Sequence, residues 1–259
     1  MELIPAKNPL QEAYEQLLLR RDACRKEADR WLSAYIRQFG ELITLAFQKK
    51  LDCITKKKSI TYCQLRQNQG RTIDLEGLNR YLEEATAEYR VRLEQLRAEW
   101  QSCRDAKASP QHQALQVKAL YRKLARLIHP DLNPAAADSP VLRELWERVT
   151  DAYHRNDLPV LEELGVLVRR ALAREGVSVS LPPPDDLPRR MAALEKEIDG
   201  ITGTDPYCYR FLLEDPEAVQ EKEAELRQEI ETYTQYEQEL TGLLQTFLQN
   251  GVILPWQEN

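Results

Sequence analysis

Apolar residues recur at helical spacing along most of the chain. The first stripe runs from Tyr14 to Ala46 in steps of three, four or seven residues, and Arg21 is its one polar interruption. A second stripe runs from Leu75 to Cys103. Such spacing places the apolar side chains on one face of a helix. The pattern predicts two long amphipathic helices, the first beginning after Asn8-Pro9 and ending near Ile54.

Polar residues separate the two stripes. Lys56–Lys58 and then Gln67–Gly70 indicate a break, and Asp74 is a suitable cap for the second helix. Two long amphipathic helices with a short connection most simply pair antiparallel. We therefore expect residues 8–107 to form a long, coiled-coil-like helical hairpin. Two helices bury only a narrow seam, so a third helix is needed to cover the remaining apolar positions.

The rest of the chain is also expected to be helical. Ala108–Pro110 opens a region that extends to residue 176, and Pro182–Pro184 indicates an extended linker over residues 177–188. Asp215-Pro216 has the form of a helix start within a C-terminal helical segment, residues 189–250. No strand pattern of any length occurs. The fold is predicted to be all-α.

Composition narrows the function classes. Ala, Glu, Leu, Lys and Arg make up just under half of the residues, as is typical of long helices. With 9 glycines, Gly-rich nucleotide-binding folds are poor candidates. Five cysteines without a closely spaced pair, and three histidines, predict no metal site and no cofactor. No apolar stretch reaches the length of a membrane span, and the acidic residues near the start argue against a signal peptide, so we expect a cytoplasmic protein that does not bind membranes.

The segment from residue 113 to 157 carries the most specific pattern. A strong helix former ends in His129-Pro130-Asp131. Proline disfavours helical geometry in the residue before it, so the helix should end at about His129 and leave an imidazole and a carboxylate on an exposed turn. Ser139-Pro140 then caps a further helix. Four bases and no acid occur between residues 111 and 130, namely Lys118, Arg122, Lys123 and Arg126.

This segment resembles the J-domain of DnaJ-type co-chaperones. The family has Tyr-Arg-Lys-Leu-Ala shortly before the tripeptide, as in residues 121–125 here. It also has an aromatic residue, an aliphatic residue and then Ala-Tyr on the next helix, matched by Trp146, Val149, Ala152 and Tyr153. The family's short first helix is not found before Gln111, and we expect the end of the second long helix, near Trp100, to supply its packing surface. The family's Gly/Phe-rich and Cys-rich regions are absent.

The resemblance implies docking on an ATP-bound DnaK-type chaperone and stimulation of its ATP hydrolysis. Asp131 would accept a charge-assisted hydrogen bond from an arginine of the chaperone, while Pro130 keeps the turn rigid and His129 orients it. The long helices would bind a client of unknown identity or an assembly, and homo-oligomerisation is possible. The basic residues would meet an acidic surface of the chaperone; these are Lys118, Arg122, Lys123 and Arg126.

Other functions are open at this point. The chain could be a coiled-coil scaffold or oligomerisation protein in which the hairpin is only structural, although such a hairpin needs neither the His nor the Asp. A His-Asp catalytic dyad lacks an accompanying nucleophile motif, so an enzyme is not expected. No aromatic residues suited to base stacking interleave the bases, so nucleic acid is not expected as a partner. The acidic helix that follows Asp215, with ten acids and two bases between residues 214 and 240, could pack on the hairpin or mask the basic residues.

Overall fold

The computed structural model describes residues 9–105, 111–176 and 186–249, and the regular elements within these ranges are all helices, which confirms the all-α prediction. The features predicted at Asn8, Ala108–Pro110 and Pro182–Pro184 lie outside the described residues. No described helix is both long and apolar enough to cross a membrane. The helices are α1 (Pro9–Asn68), α2 (Leu75–Asp105), α3 (Gln111–Ile128), α4 (Pro134–Asp138), α5 (Pro140–His154), α6 (Leu158–Glu175), α7 (Leu187–Thr202), α8 (Tyr209–Glu214) and α9 (Pro216–Gln249).

Helix starts follow the local sequence. The Ser139 hydroxyl accepts a hydrogen bond from the backbone N–H of Leu142 at 3.2 Å, and Pro140 occupies the first position of α5. The Asp215 carboxylate caps α9 in the same way, accepting from the N–H of Glu217 at 2.9 Å. Both starts were predicted from the capping residue and the proline that follows it. Helix α4 is a single turn, and its start is capped by the Asn133 side chain, which accepts from the N–H of Ala136 at 3.3 Å.

The first helix is longer than predicted. It continues through Lys56–Lys58 and ends at Asn68, so the expected end near Ile54 is wrong. The three lysines do not interrupt it because Lys56 is paired with Glu237 at 3.1 Å, and because Ser59 and other residues beyond them are buried in the same helix. The chain reverses only in the turn that contains Gly70, which has a positive φ of 63°.

The chain divides into two compact units, Met1–Leu32 with Lys107–Cys208, and Ser33–Ala106 with Tyr209–Asn259. We call these the first and second units. This division differs from the predicted segments because α1 is shared between both units. At 1.5 Å per residue the 60 residues of α1 extend over about 90 Å, whereas the 31 residues of α2 extend over about 47 Å. The shorter helix can therefore pair with only half of the longer one.

In the second unit, α1 and α2 pair antiparallel. Arg37 Nε donates to the carbonyl of Cys103 at 3.1 Å, and further along, Arg97 donates to Gln48 at 2.6 Å. Gly40 is needed at one contact, because a Cβ at this position would lie 2.7 Å from Cδ1 of Trp100. At these contacts the two helices run in opposite directions. The stripe that faces α2 is nevertheless the later part of α1 rather than the whole range from Tyr14 to Ala46.

The acidic helix α9 packs on the later part of α1. Glu237 lies 2.8 Å from the Lys49 ammonium and 3.1 Å from that of Lys56, and Leu244 is buried with Cys63. Burial opposes ionisation of Glu237, but the hydrogen bonds from the two ammonium groups outweigh it and hold the pKa of this carboxyl below its usual range. Intramolecular packing of α9 on α1, one of the two arrangements considered, is therefore observed.

The core of the first unit lies between α3, α5 and α6. Its largest buried side chains include Tyr121, Leu124 and Ile128 from α3, with Leu142 from α5 and Leu161 from α6. The early part of α1 packs on this unit as well. Its residues Tyr14 and Leu18 are buried in a cluster with Leu187 and Leu194 of α7.

Candidate functional site

The predicted His-Pro-Asp turn lies where α3 ends. Helix α3 stops at Ile128, as predicted, since Pro130 has no N–H to donate and disfavours helical geometry at His129. The turn is closed by hydrogen bonds to the carbonyl of His129 from the N–H groups of Leu132 at 3.0 Å and Asn133 at 2.8 Å. The Asn133 side chain also donates to the carbonyl of Leu127 at 2.9 Å. These bonds fix the conformation of the turn from both sides.

The imidazole of His129 is buried, contrary to the prediction of an exposed side chain. Only 2% of the residue is accessible, and its ring packs against that of Trp146 with centroids 4.7 Å apart. Its Nδ1 accepts a hydrogen bond from the N–H of Asp131 at 3.0 Å. The ring is buried because an imidazole that accepts this bond turns inward over its own loop, where Trp146 of α5 and Arg21 of α1 cover it.

The protonation state of His129 follows from these contacts. With Nδ1 accepting, the neutral ring carries its proton on Nε2, which faces Arg21 Nη2 at 3.4 Å as a contact between two donors. Burial lowers the pKa of His129; Asp22 and Asp131 oppose this, and the Arg21 charge adds to the lowering. The side chain is therefore neutral near pH 7 and orients the turn.

Asp131 remains partly accessible. Its side chain is 42% exposed, and Oδ2 lies 3.9 Å from Nη1 of Arg21. The backbone N–H of the same residue is used by His129, so the residue is held through its main chain while its carboxylate faces outward. A carboxylate in this state can accept hydrogen bonds from a partner without first unfolding the turn.

The predicted basic residues do not all have the same surroundings. Lys118, Arg122 and Lys123 are exposed on α3, whereas Tyr121 of the same helix is buried. Arg126 is half exposed but forms an ion pair with Glu15 of α1. We use the name basic face for the exposed residues Lys118, Arg122 and Lys123 of α3.

A row of charged residues in α1 contacts this hairpin, and the sequence-based predictions missed it. The hydroxyl of Tyr121 donates to Asp22 Oδ2 at 2.7 Å, and the contact is buried. Lys26 Nζ donates to the carbonyl of Tyr153 at 2.6 Å and lies 3.9 Å from the centre of the Tyr153 ring. Asp29 lies 2.6 Å from His154 Nδ1. The early part of α1 thus supplies a packing surface for α3 and α5.

Burial changes the pKa of Lys26 and of Tyr121 and Tyr153, the two tyrosines that contact this row. It lowers the pKa of Lys26 to about 8, and the nearby charge of Lys118 adds to the effect. Burial also raises the pKa of Tyr153 to about 12 and that of Tyr121 further, with Asp22 acting in the same direction in both cases. Both phenols are therefore neutral donors at physiological pH.

The sequence contains a signal for this row of charged residues in α1. Glu15, Asp22 and Asp29 are spaced by seven residues, and Lys26 lies four residues after Asp22. This is the spacing of the neighbouring apolar stripe, so the charged residues occupy one continuous side of α1. Charged residues are rarely buried without partners, so such a row beside an apolar stripe indicates a polar packing face.

The site offers recognition chemistry. Its exposed elements are three cations and one carboxylate on a rigid turn, and its imidazole is buried. Among the residues that the structure describes, no group of His, Cys, Asp and Glu side chains could hold a metal ion.

Comparison with known proteins adds no further assignment: no protein-family model, no curated protein and no solved structure matches this chain.

Proposed function

We propose that this protein is a J-domain co-chaperone that docks on a DnaK-type chaperone and stimulates its ATP hydrolysis. The observation that carries the proposal is the combination of a rigid His-Pro-Asp turn with the partly exposed Asp131 carboxylate, next to the basic face. This arrangement is suited to binding a surface of opposite charge and registering it at one point.

The docking step has two physical parts. The exposed cations Lys118, Arg122 and Lys123 attract an acidic surface and raise the rate of encounter, an effect that salt screens. The carboxylate of Asp131 then accepts a charge-assisted hydrogen bond, which fixes the register. A turn that is already closed by its own hydrogen bonds loses little conformational entropy on docking.

The second unit is proposed to bind the client or the assembly that the co-chaperone serves. In this unit α1, α2 and α9 fill their own apolar seam, so the remaining exposed apolar residues are available for contacts. Tyr89 and Val91 of α2 are 39% and 55% exposed. We also propose a cytoplasmic location, which suits a chain whose five cysteines are free thiols.

Steady-state ATP hydrolysis by a DnaK-type chaperone, with and without this protein, tests the proposal. The wild-type chain should raise the turnover rate. Asp131→Asn should lower the apparent affinity by about tenfold or more, because a hydrogen bond to a charged group contributes about 1.5–3 kcal/mol. Asp138→Asn is the matched control, since Asp138 is an exposed aspartate close to the turn. Equal stimulation by the wild type and Asp131→Asn contradicts the proposal.

Charge reversal tests the electrostatic part of the same experiment. Arg122→Glu/Lys123→Glu should slow association and invert its dependence on salt. The control is Arg169→Glu/Arg170→Glu, which makes the same change of net charge at two exposed residues of α6. If both double variants associate equally fast, the basic face has no specific role. A protein without any effect on the ATPase is better described as a helical scaffold.

A further inference from the structure

Arg21 is the one polar residue in the first apolar stripe, and the structure shows why it is there. Its side chain is only 13% exposed and lies among three carboxylates. Nε and Nη2 bind Asp22 at 3.1 and 2.9 Å. Nη1 points the other way, 3.9 Å from Asp131 and 3.8 Å from Glu197. The forked guanidinium thus joins a buried carboxylate of α1 to the carboxylate of the turn.

The two ends of this fork differ in strength. Asp22 is buried and also accepts a hydrogen bond from Tyr121, so it anchors the Nε side of the guanidinium firmly. Asp131 is 42% exposed and its contact with Nη1 is long. An ion pair of this kind is weak and exchanges readily with solvent or with a competing cation. The contact with the turn is therefore the reversible one.

We propose that Arg21 is an intramolecular latch on the docking site, occupying from within the chain the carboxylate that the chaperone must bind. The inference rests on the proposed function, and it adds a form of regulation to the same site. The basic face is left exposed, so the first electrostatic encounter proceeds unhindered. Full docking then requires Asp131 to exchange its contact with Arg21 for one with a donor of the chaperone.

Docking requires a free Asp131. The apparent affinity is therefore the intrinsic affinity multiplied by the fraction of molecules in which Asp131 does not contact Arg21. A partly exposed ion pair is worth up to about 1 kcal/mol, which corresponds to about a fivefold change in affinity at 25 °C. Opening the latch should thus lower the concentration for half-maximal ATPase stimulation by up to about fivefold. Maximal stimulation at saturation should not change.

Arg21→Lys is the most informative variant. Lysine keeps the positive charge that the buried Asp22 requires, but it has one nitrogen in place of the fork whose Nε and Nη2 bind Asp22 while Nη1 faces Asp131. It should stay with Asp22 and release Asp131. Arg20→Lys is the matched control, because Arg20 is the exposed neighbour on the same helix. Arg21→Gln is a second, stronger perturbation, and circular dichroism establishes whether it is folded.

The assay is ATPase stimulation titrated with the full-length wild type, Arg21→Lys, Arg20→Lys and the double variant Arg21→Lys/Asp131→Asn. The latch predicts a lower half-maximal concentration for Arg21→Lys alone, and loss of stimulation in the double variant. An unchanged or higher half-maximal concentration for Arg21→Lys, with normal stimulation by the wild type, overturns the latch and leaves the proposed function intact. No stimulation by any of the four proteins overturns the proposed function itself, and the latch with it.

Discussion

The buried contact between Tyr121 and Asp22 gives a direct test of whether the early part of α1 stabilises the first unit. Tyr121→Phe removes one hydroxyl and leaves the ring, which stacks on Tyr153 with centroids 3.9 Å apart. The lost bond is an O–H···O⁻ contact of 2.7 Å that is shielded from solvent. Asp22 keeps its ion pair with Arg21, so the substitution leaves no buried charge without a partner.

The expected cost follows from this geometry. A hydrogen bond to a charged acceptor contributes about 1.5–3 kcal/mol, roughly twice a bond between neutral groups. The phenyl ring preserves the packing, so no cavity cost is added. We therefore expect Tyr121→Phe to lower the free energy of unfolding of the first unit by about 2 kcal/mol.

Native-state hydrogen exchange measures this effect in the correct part of the molecule. A single denaturation midpoint is not sufficient, because the two compact units need not unfold together. Amides of α3 and α5 should exchange about 30-fold faster in Tyr121→Phe, the factor that corresponds to about 2 kcal/mol. Tyr89→Phe is the control, as Tyr89 is 39% exposed on α2. Exchange rates in α3 that equal those of the control refute the argument that α1 contributes to the stability of this unit.

Two further predictions concern the packing of α1 and the buried imidazole. Gly40→Ala should destabilise the second unit by about 1–2 kcal/mol in urea denaturation, since its Cβ would lie 2.7 Å from Trp100 Cδ1 and overpacking outweighs the helix-propensity gain. Gly242→Ala, with no atom within 4 Å of its Cβ, should stabilise the same unit by about 0.4–1 kcal/mol, and the argument fails if both variants change stability in the same direction. For His129, the folded-state pKa lies below the unfolded value of about 6.5, so its contribution to stability is present above pH 6.5 and is lost as the pH falls towards the folded pKa. The free energy of unfolding should fall more steeply between pH 6.5 and 5 in the wild type than in His129→Gln, and equal slopes would show that burial does not lower the pKa of this imidazole.

Local features of the fold were predictable from the sequence because they are determined locally. The caps at Ser139 and Asp215 need only a short polar side chain and a following proline, and both begin helices as expected. The end of α3 at Ile128 follows from the proline two residues later. In each case the determining interaction lies within a few residues of the position that it explains.

Pairing between distant helices was predicted less well. An apolar stripe shows that one side of a helix is covered, but it does not identify the covering element. The stripe that begins at Tyr14 was assigned to α2 along its whole length, whereas Tyr14 itself packs with Leu187 of α7. The lysines at Lys56–Lys58 suggested a break because the partner of Lys56, Glu237, is distant in sequence.

In the candidate site, too, the locally determined features were predicted and the contacts between distant elements were not. The exposure of Lys118, Arg122 and Lys123 follows from the period of α3, whose other side carries the apolar residues. The burial of His129 could not be derived in this way. It depends on Trp146 of α5 and on Arg21 of α1, which reach the turn only after the chain has folded.

The charged row of α1 connects the fold to the proposed function. A charged side chain that leaves water needs partners, and the ion pair between Arg21 and Asp22 leaves part of each group to be paired by another element. Tyr121 and the turn at Asp131 supply those groups. The contact between Tyr121 and Asp22 is buried, whereas the contact between Arg21 and Asp131 is half exposed, and the proposed latch depends on this difference. The polar interruption of the apolar stripe at Arg21 is therefore explained by the buried carboxylate of Asp22, which Arg21 binds through Nε and Nη2.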